Sequence, residues 1–186
     1  MKEDTAILNK NKLPFVYLKP GELITTKTPL LISTILGSCA AVTMYDRRSG
    51  LSAICHGILP KCTDNKCKQC IETGKYLDCA IKKMINEYDK INIKHRNIIV
   101  KLFGGAELLK SSNQTVKKQS VGSENIETAL NILKNYGLTI TITDVGGSAG
   151  RRLFFNTCTG EVLLRRMNSS FASIGQKIEG GHFTAL

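Results

Sequence analysis

Two apolar runs, Ala40 to Tyr45 and Leu51 to Leu59, flank the segment Asp46-Arg47-Arg48-Ser49-Gly50. Short apolar runs on either side of such a turn-forming segment read as a β-hairpin. This hairpin constrains the fold more than any other stretch, because antiparallel pairing lays the start of its first strand beside the end of its second. Cys39 stands at the first of these ends, in Leu36-Gly37-Ser38-Cys39, and His56 near the other, in Cys55-His56-Gly57-Ile58-Leu59-Pro60. They are seventeen residues apart in the chain, and the pairing brings them together. The thiolate is the reactive form of cysteine, and a nearby imidazole can generate it near neutral pH. Taken alone, the two residues leave open the commoner use of a free cysteine, a buried structural thiol.

The rest of the chain supplies layers for such a hairpin. Ile24 to Leu36 reads as extended, interrupted near Thr26-Lys27-Thr28-Pro29, and Asn97 to Phe103 is an apolar strand ending at Gly104-Gly105. Leu77, Ala80, Ile81, Met84, Ile85 and Tyr88 recur at helical spacing. A second helix is predicted to start at Ser123 as cap, with Ile126, Ala129, Leu130, Leu133 and Tyr136 as its apolar stripe and Gly137 as its stop. Thr139 to Val145 alternates as a strand, and Leu153–Phe155 and Val162–Arg166 form a last hairpin. The expected fold is a single-domain α/β protein with two amphipathic helices packed on mostly antiparallel sheet, and not a doubly wound one. Residues 1–13 are expected to be an arm, 14–170 the domain and 171–186 a tail.

The formal net charge is +11. Nucleic acid is the first partner such a charge suggests, but the cations are scattered as pairs such as Lys117-Lys118 and Arg165-Arg166, without tract or motif. An acidic protein partner fits the same field. No apolar run approaches the roughly 18–20 residues of a membrane span, and Met1-Lys2-Glu3-Asp4-Thr5 does not open a secretory signal. The chain is therefore expected to be cytoplasmic, where its seven cysteines would be thiols, metal ligands or a nucleophile, not disulfides.

Cys62-x4-Cys67-x2-Cys70, with Cys79 nine residues on, could make a four-thiolate zinc or iron site. Reduced surface thiols or a redox switch fit the same spacing. Cys79 is expected opposite the apolar stripe of its helix, Cys55 in the core by strand alternation, and Cys158 incidental in a turn. Gly146-Gly147-Ser148-Ala149-Gly150-Arg151 lacks the ending of a phosphate loop and is read as a turn walling the cleft. His182 falls in the tail.

Leu36-Gly37-Ser38-Cys39-Ala40-Ala41-Val42, then Asp46, Gly50, His56 and Leu59-Pro60, resembles the CheD family of chemoreceptor glutamine deamidases. Further blocks follow in the family's order: Lys101-Leu102-Phe103-Gly104-Gly105-Ala106, Val121-Gly122-Ser123-Glu124-Asn125-Ile126, and Asp144-Val145-Gly146-Gly147 with Gly150-Arg151. The resemblance implies a layered α/β/β sandwich and a bacterial chemotaxis enzyme. It would be a cysteine-dependent amidohydrolase that converts receptor glutamines to glutamate and needs no metal or organic cofactor. It implies Cys39 as nucleophile, His56 as base, and Ser33, six positions before Cys39 where the family usually has threonine, as the group that orients the imidazole. Thr34 stands next to it. The implied partners are the acidic cytoplasmic helices of chemoreceptors and a CheC-type phosphatase. The alternative is a weakly catalytic module whose main task is docking to that phosphatase. Cys62, Cys67 and Cys70 lie outside the family pattern.

Overall fold

In the computed structural model, which describes residues 13–62, 74–107, 120–167 and 183–186, β-strand alternation sorts the side chains into layers. Among these residues ten strands form two five-stranded sheets. The first sheet runs in the order β1 (Phe15–Tyr17), β3 (Leu31–Leu36), β8 (Gly150–Asn156), β9 (Val162–Met167), β10 (Thr184–Ala185). The second runs β2 (Leu23–Thr26), β5 (Ser52–Gly57), β4 (Ala40–Tyr45), β6 (Ile99–Gly104), β7 (Ile140–Val145). Both sheets are mixed: β1 lies parallel to β3 and β6 parallel to β7, while the other pairs are antiparallel. The expected hairpin is present, with Ala41 opposite His56 and Ala40 opposite Gly57.

One face of the second sheet, through Ala40, Val42, Met44, Ala53, Cys55, Val100 and Leu102, packs on the two helices α1 (Leu77–Asp89) and α2 (Val121–Asn135). Its other face, through Ala41, Ile54 and Phe103, packs on Ile32, Leu36, Leu153, Phe155, Val162 and Leu164 of the first sheet. The layers are therefore helices, sheet and sheet, an α/β/β sandwich. Hydrogen bonds from Tyr45 Oη to the Cys158 carbonyl (2.7 Å) and Ser52 Oγ to that of Thr157 (2.7 Å) tie the sheets at the end far from Cys39.

The helices differ from expectation in detail. Ser120 caps α2, its Oγ accepting from the Ser123 N–H at 3.1 Å, so the cap lies three residues before the predicted one. Leu130 and Tyr136 are exposed, and the buried face of α2 is Gly122, Asn125, Thr128, Ala129 and Leu133. Cys79 stands on the side of α1 that carries the exposed Lys82, Lys83 and Asn86, opposite the apolar stripe as expected, yet it is buried. Thr184 and Ala185, read from sequence as tail, are an edge strand on β9. Residues 1–12 and His182 lie outside the described residues.

Candidate active site

The site begins with strand parity. In β3, Ile32 and Leu36 point into the layer between the sheets, and so does Thr34 between them. In β5 the same holds for Ile54 and, two residues on, His56. The two polar side chains meet across the layer: Thr34 Oγ1 lies 2.7 Å from His56 Nδ1. Ser33, one residue earlier, faces the opposite side of its sheet, and its hydroxyl is buried without a hydrogen-bond partner among the described residues. The orienting contact expected of Ser33 is made by Thr34.

The Thr34 hydroxyl donates its single proton to the Leu18 carbonyl at 2.9 Å. Toward His56 it can then only accept, so Nδ1 carries the imidazole proton and Nε2 presents a lone pair. His56 Nε2 is buried and has no hydrogen-bond partner among the described residues. Burial pushes the imidazole down to about 4, against a smaller upward pull from the Glu22 carboxylate. At neutral pH His56 is therefore a neutral ring with an unused basic nitrogen.

Cys39 lies just past the last rung of the β4–β5 ladder. By alternation it shares the face of Ala41, diagonal to His56, and it packs half-buried against the inter-sheet core. Burial pushes its thiol up, partly offset by its own backbone N–H. Thiol and imidazole thus both rest uncharged, an arrangement suited to proton transfer in step with attack.

The turn that carries Cys39 is held from below. Gly105 N–H donates to the Cys39 carbonyl (2.8 Å) and Ala106 N–H to that of Gly37 (2.9 Å). Gly104, at φ +107°, lies so close that a Cβ there would run into the Cys39 carbonyl oxygen. Behind it, Gly146 N–H donates to the Gly104 carbonyl (2.9 Å), so the glycine-rich turn backs the end of β6. Asp144 accepts from Arg151 Nε (2.6 Å) and Arg166 (2.8 Å), joining the sheets at the same end.

Of the other cysteines, Cys55 lies on the helix side of its strand, away from His56, and Cys158 is exposed. The Cys62 N–H donates to Asp78 (3.1 Å), next to Cys79. Cys67 and Cys70 lie outside the described residues, among which no group of three potential metal ligands occurs.

Sequence reasoning passed over two residues of the site. Thr34 shares the parity of Ile32 and Leu36, which is visible in the sequence. Asn125, whose amide bonds the Ser38 and Ile58 carbonyls, falls four residues before Ala129 on the buried face of α2.

Fold and site together define a three-layer α/β/β protein in which a threonine hydroxyl meets an imidazole in the inter-sheet layer, at the end where the chain carries Cys39. Residues 58–166, starting two residues past His56, match the family model of CheD, described as CheD chemotactic sensory transduction. A Geobacter sulfurreducens protein named "Probable chemoreceptor glutamine deamidase CheD 2" is 42% identical over 161 residues, 87% of this chain and 95% of that protein. Proteins named "Probable chemoreceptor glutamine deamidase CheD" match from Oleidesulfovibrio alaskensis at 38% identity (90% of this chain, 79% of that one) and Methanococcus maripaludis at 35% (80% and 92%). The chain belongs to the CheD family.

Proposed function

We propose that this protein is a cytoplasmic protein-glutamine deamidase that converts selected glutamines of methyl-accepting chemoreceptors to glutamate during chemotactic adaptation. The observation that carries the reading is the proton chain Leu18 carbonyl–Thr34 hydroxyl–His56 Nδ1, which leaves Nε2 bare on the face it shares with Cys39. The family and the names of its relatives support the substrate class.

The reaction runs through an acyl-enzyme. His56 Nε2 takes the thiol proton as Cys39 Sγ attacks the side-chain amide carbon of the glutamine. Backbone N–H groups of the Gly37–Cys39 turn, that of Cys39 among them, stabilise the tetrahedral oxyanion. His56 returns the proton to the departing nitrogen, ammonia leaves, and a γ-glutamyl thioester remains. Water that gives a proton to His56 then attacks this thioester, releasing glutamate and the thiol. No helix among the described residues is long and apolar enough to cross a membrane.

The competing reading is a weakly catalytic module that docks to a CheC-type phosphatase, which a serine in place of the family's threonine at position 33 would favour. The Thr34 hydroxyl on His56 supports the enzyme reading over it.

The test is mass spectrometry of a chemoreceptor cytoplasmic fragment incubated with the wild type and with Cys39→Ala. The wild type is expected to add about one mass unit at defined glutamines, as amide becomes acid, and the folded variant none. Equal conversion by both would exclude the thiol mechanism.

A further inference from the structure

Helix α2 carries a polar side chain where its packing face calls for an apolar one. Asn125 is fully buried, in line with Gly122, Ala129 and Leu133. Its Nδ2 donates to the Ser38 carbonyl at 3.1 Å and to the Ile58 carbonyl at 3.0 Å. Both amide hydrogens are thereby used. Its Oδ1 is buried with no partner among the described residues. A buried acceptor left unbonded costs about 1–3 kcal/mol, so an apolar residue would serve packing better.

The positions of the two carbonyls explain why an amide stands there. The β4–β5 ladder ends at Ala40–Gly57. Beyond that rung the sheet register does not join the turn bearing Cys39 to the chain leaving His56, and the Ile58 N–H is turned to the Lys75 carbonyl (2.9 Å). Asn125 spans the two strands as a substitute rung, one bond next to Cys39 and the other two residues past His56. The start of α2 is pressed onto the same turn from a second side: a Cβ on Gly122 would come within 2.7 Å of the Gly105 carbonyl oxygen, and Gly105 holds the Cys39 carbonyl.

We infer that Asn125 is a positioning residue that sets the Cys39 turn against the His56 strand through its paired bonds to Ser38 and Ile58. The inference rests on the reading of Cys39 and His56 as nucleophile and base. It assigns α2 a part in the chemistry without contact to the substrate.

The experiment compares wild type, Asn125→Ala, Asn125→Ser and His56→Ala by two readouts. One is the pH dependence of Cys39 alkylation by iodoacetamide, followed on the Cys39 peptide, which needs no receptor. The other is kcat and KM for deamidation of a receptor fragment. Asn125→Ala is expected to lower kcat roughly 10- to 100-fold, the scale of a small misplacement of reacting groups, with KM within about two-fold, since only turnover geometry changes. Its alkylation profile should move toward that of His56→Ala, and Asn125→Ser, which keeps one donor, should recover part of both. A folded Asn125→Ala with the wild-type kcat and alkylation profile, even with a lower Tm, overturns the inference. So does failure of both Asn125 variants to fold, which would give the bonds to the fold and not to the site. A wild type whose alkylation depends on His56 and Asn125 but which deamidates no receptor leaves the inference standing and removes the substrate reading.

Discussion

The Thr34 hydroxyl has one proton, and its destination decides what His56 can do. Given to the Leu18 carbonyl, it fixes the imidazole with Nδ1–H inward and Nε2 bare. Thr34→Val keeps the branched shape and loses the hydroxyl, so Nδ1–H is buried without an acceptor and the productive tautomer is no longer selected. Its kcat is expected to fall about 100-fold, in the range of a lost acid–base contribution, while Thr34→Ser restores most of it and Ser33→Ala stays within about two-fold; steady-state kinetics on a receptor fragment check all three. The pH dependence follows from the same residue. His56 is held down to about 4, so its basic form prevails above that value and kcat/KM should stay level from neutrality down and drop only as the pH falls through about 4. The unfolded chain takes up the proton at its ordinary 6.5, so the contribution of His56 to stability should decline as the pH falls from 6.5 to about 4 and level off below. Thr34 was legible in the chain through the alternation Ile32, Thr34, Leu36. Counting six residues back from Cys39 led to Ser33 instead, because Gly37 and Ser38 form a turn, and a count carried through a turn does not preserve the face of a strand.

Elements joined by short turns could be read directly, and those joined across the molecule could not. The β4–β5 hairpin declares itself because both runs and their turn lie within twenty residues, Ala40 to Leu59. The division into two sheets rests on pairings such as β3 with β8 and β1 beside β3, whose partners no local pattern names. The second helix shows the same limit. Its period was plain, but Leu130 and Tyr136 complete an apolar stripe that the fold leaves exposed, while Asn125 sits on the buried side because the site needs its donors. Gly104 is where element packing and site meet. It ends β6 at φ +107°, with the Cys39 carbonyl where a side chain would go. Gly104→Ala combines a strained backbone, about 1–3 kcal/mol, with displacement of the Cys39 turn. The expected result is a Tm lowered by roughly 2–12 °C, at about 2–4 °C per kcal/mol for a chain of this size, and a kcat reduced more than that loss of folded protein explains. Thermal melts and kinetics on the same sample check it.

The whole molecule brings a charge of +11 to a site whose thiol and imidazole both rest uncharged at neutral pH. A field spread over the surface is expected to act chiefly on encounter with a charged substrate. Exposed charges steer an oppositely charged partner over distances comparable to the Debye length, about 10 Å at 0.1 M salt, and added salt removes that help. If the substrate is an acidic receptor helix, kcat/KM for deamidation should fall about 10-fold from low to near-physiological ionic strength, at the lower end of electrostatic rate enhancement, while kcat changes little. Alkylation of Cys39 by neutral iodoacetamide supplies the contrast within the same protein: it reads the thiol and His56 without an acidic partner and should be insensitive to salt. A salt-independent kcat/KM beside active turnover would mean that the receptor is recognised without this field. The excess of lysine and arginine would then belong to a different acidic partner, whose binding rather than whose turnover would carry the salt dependence.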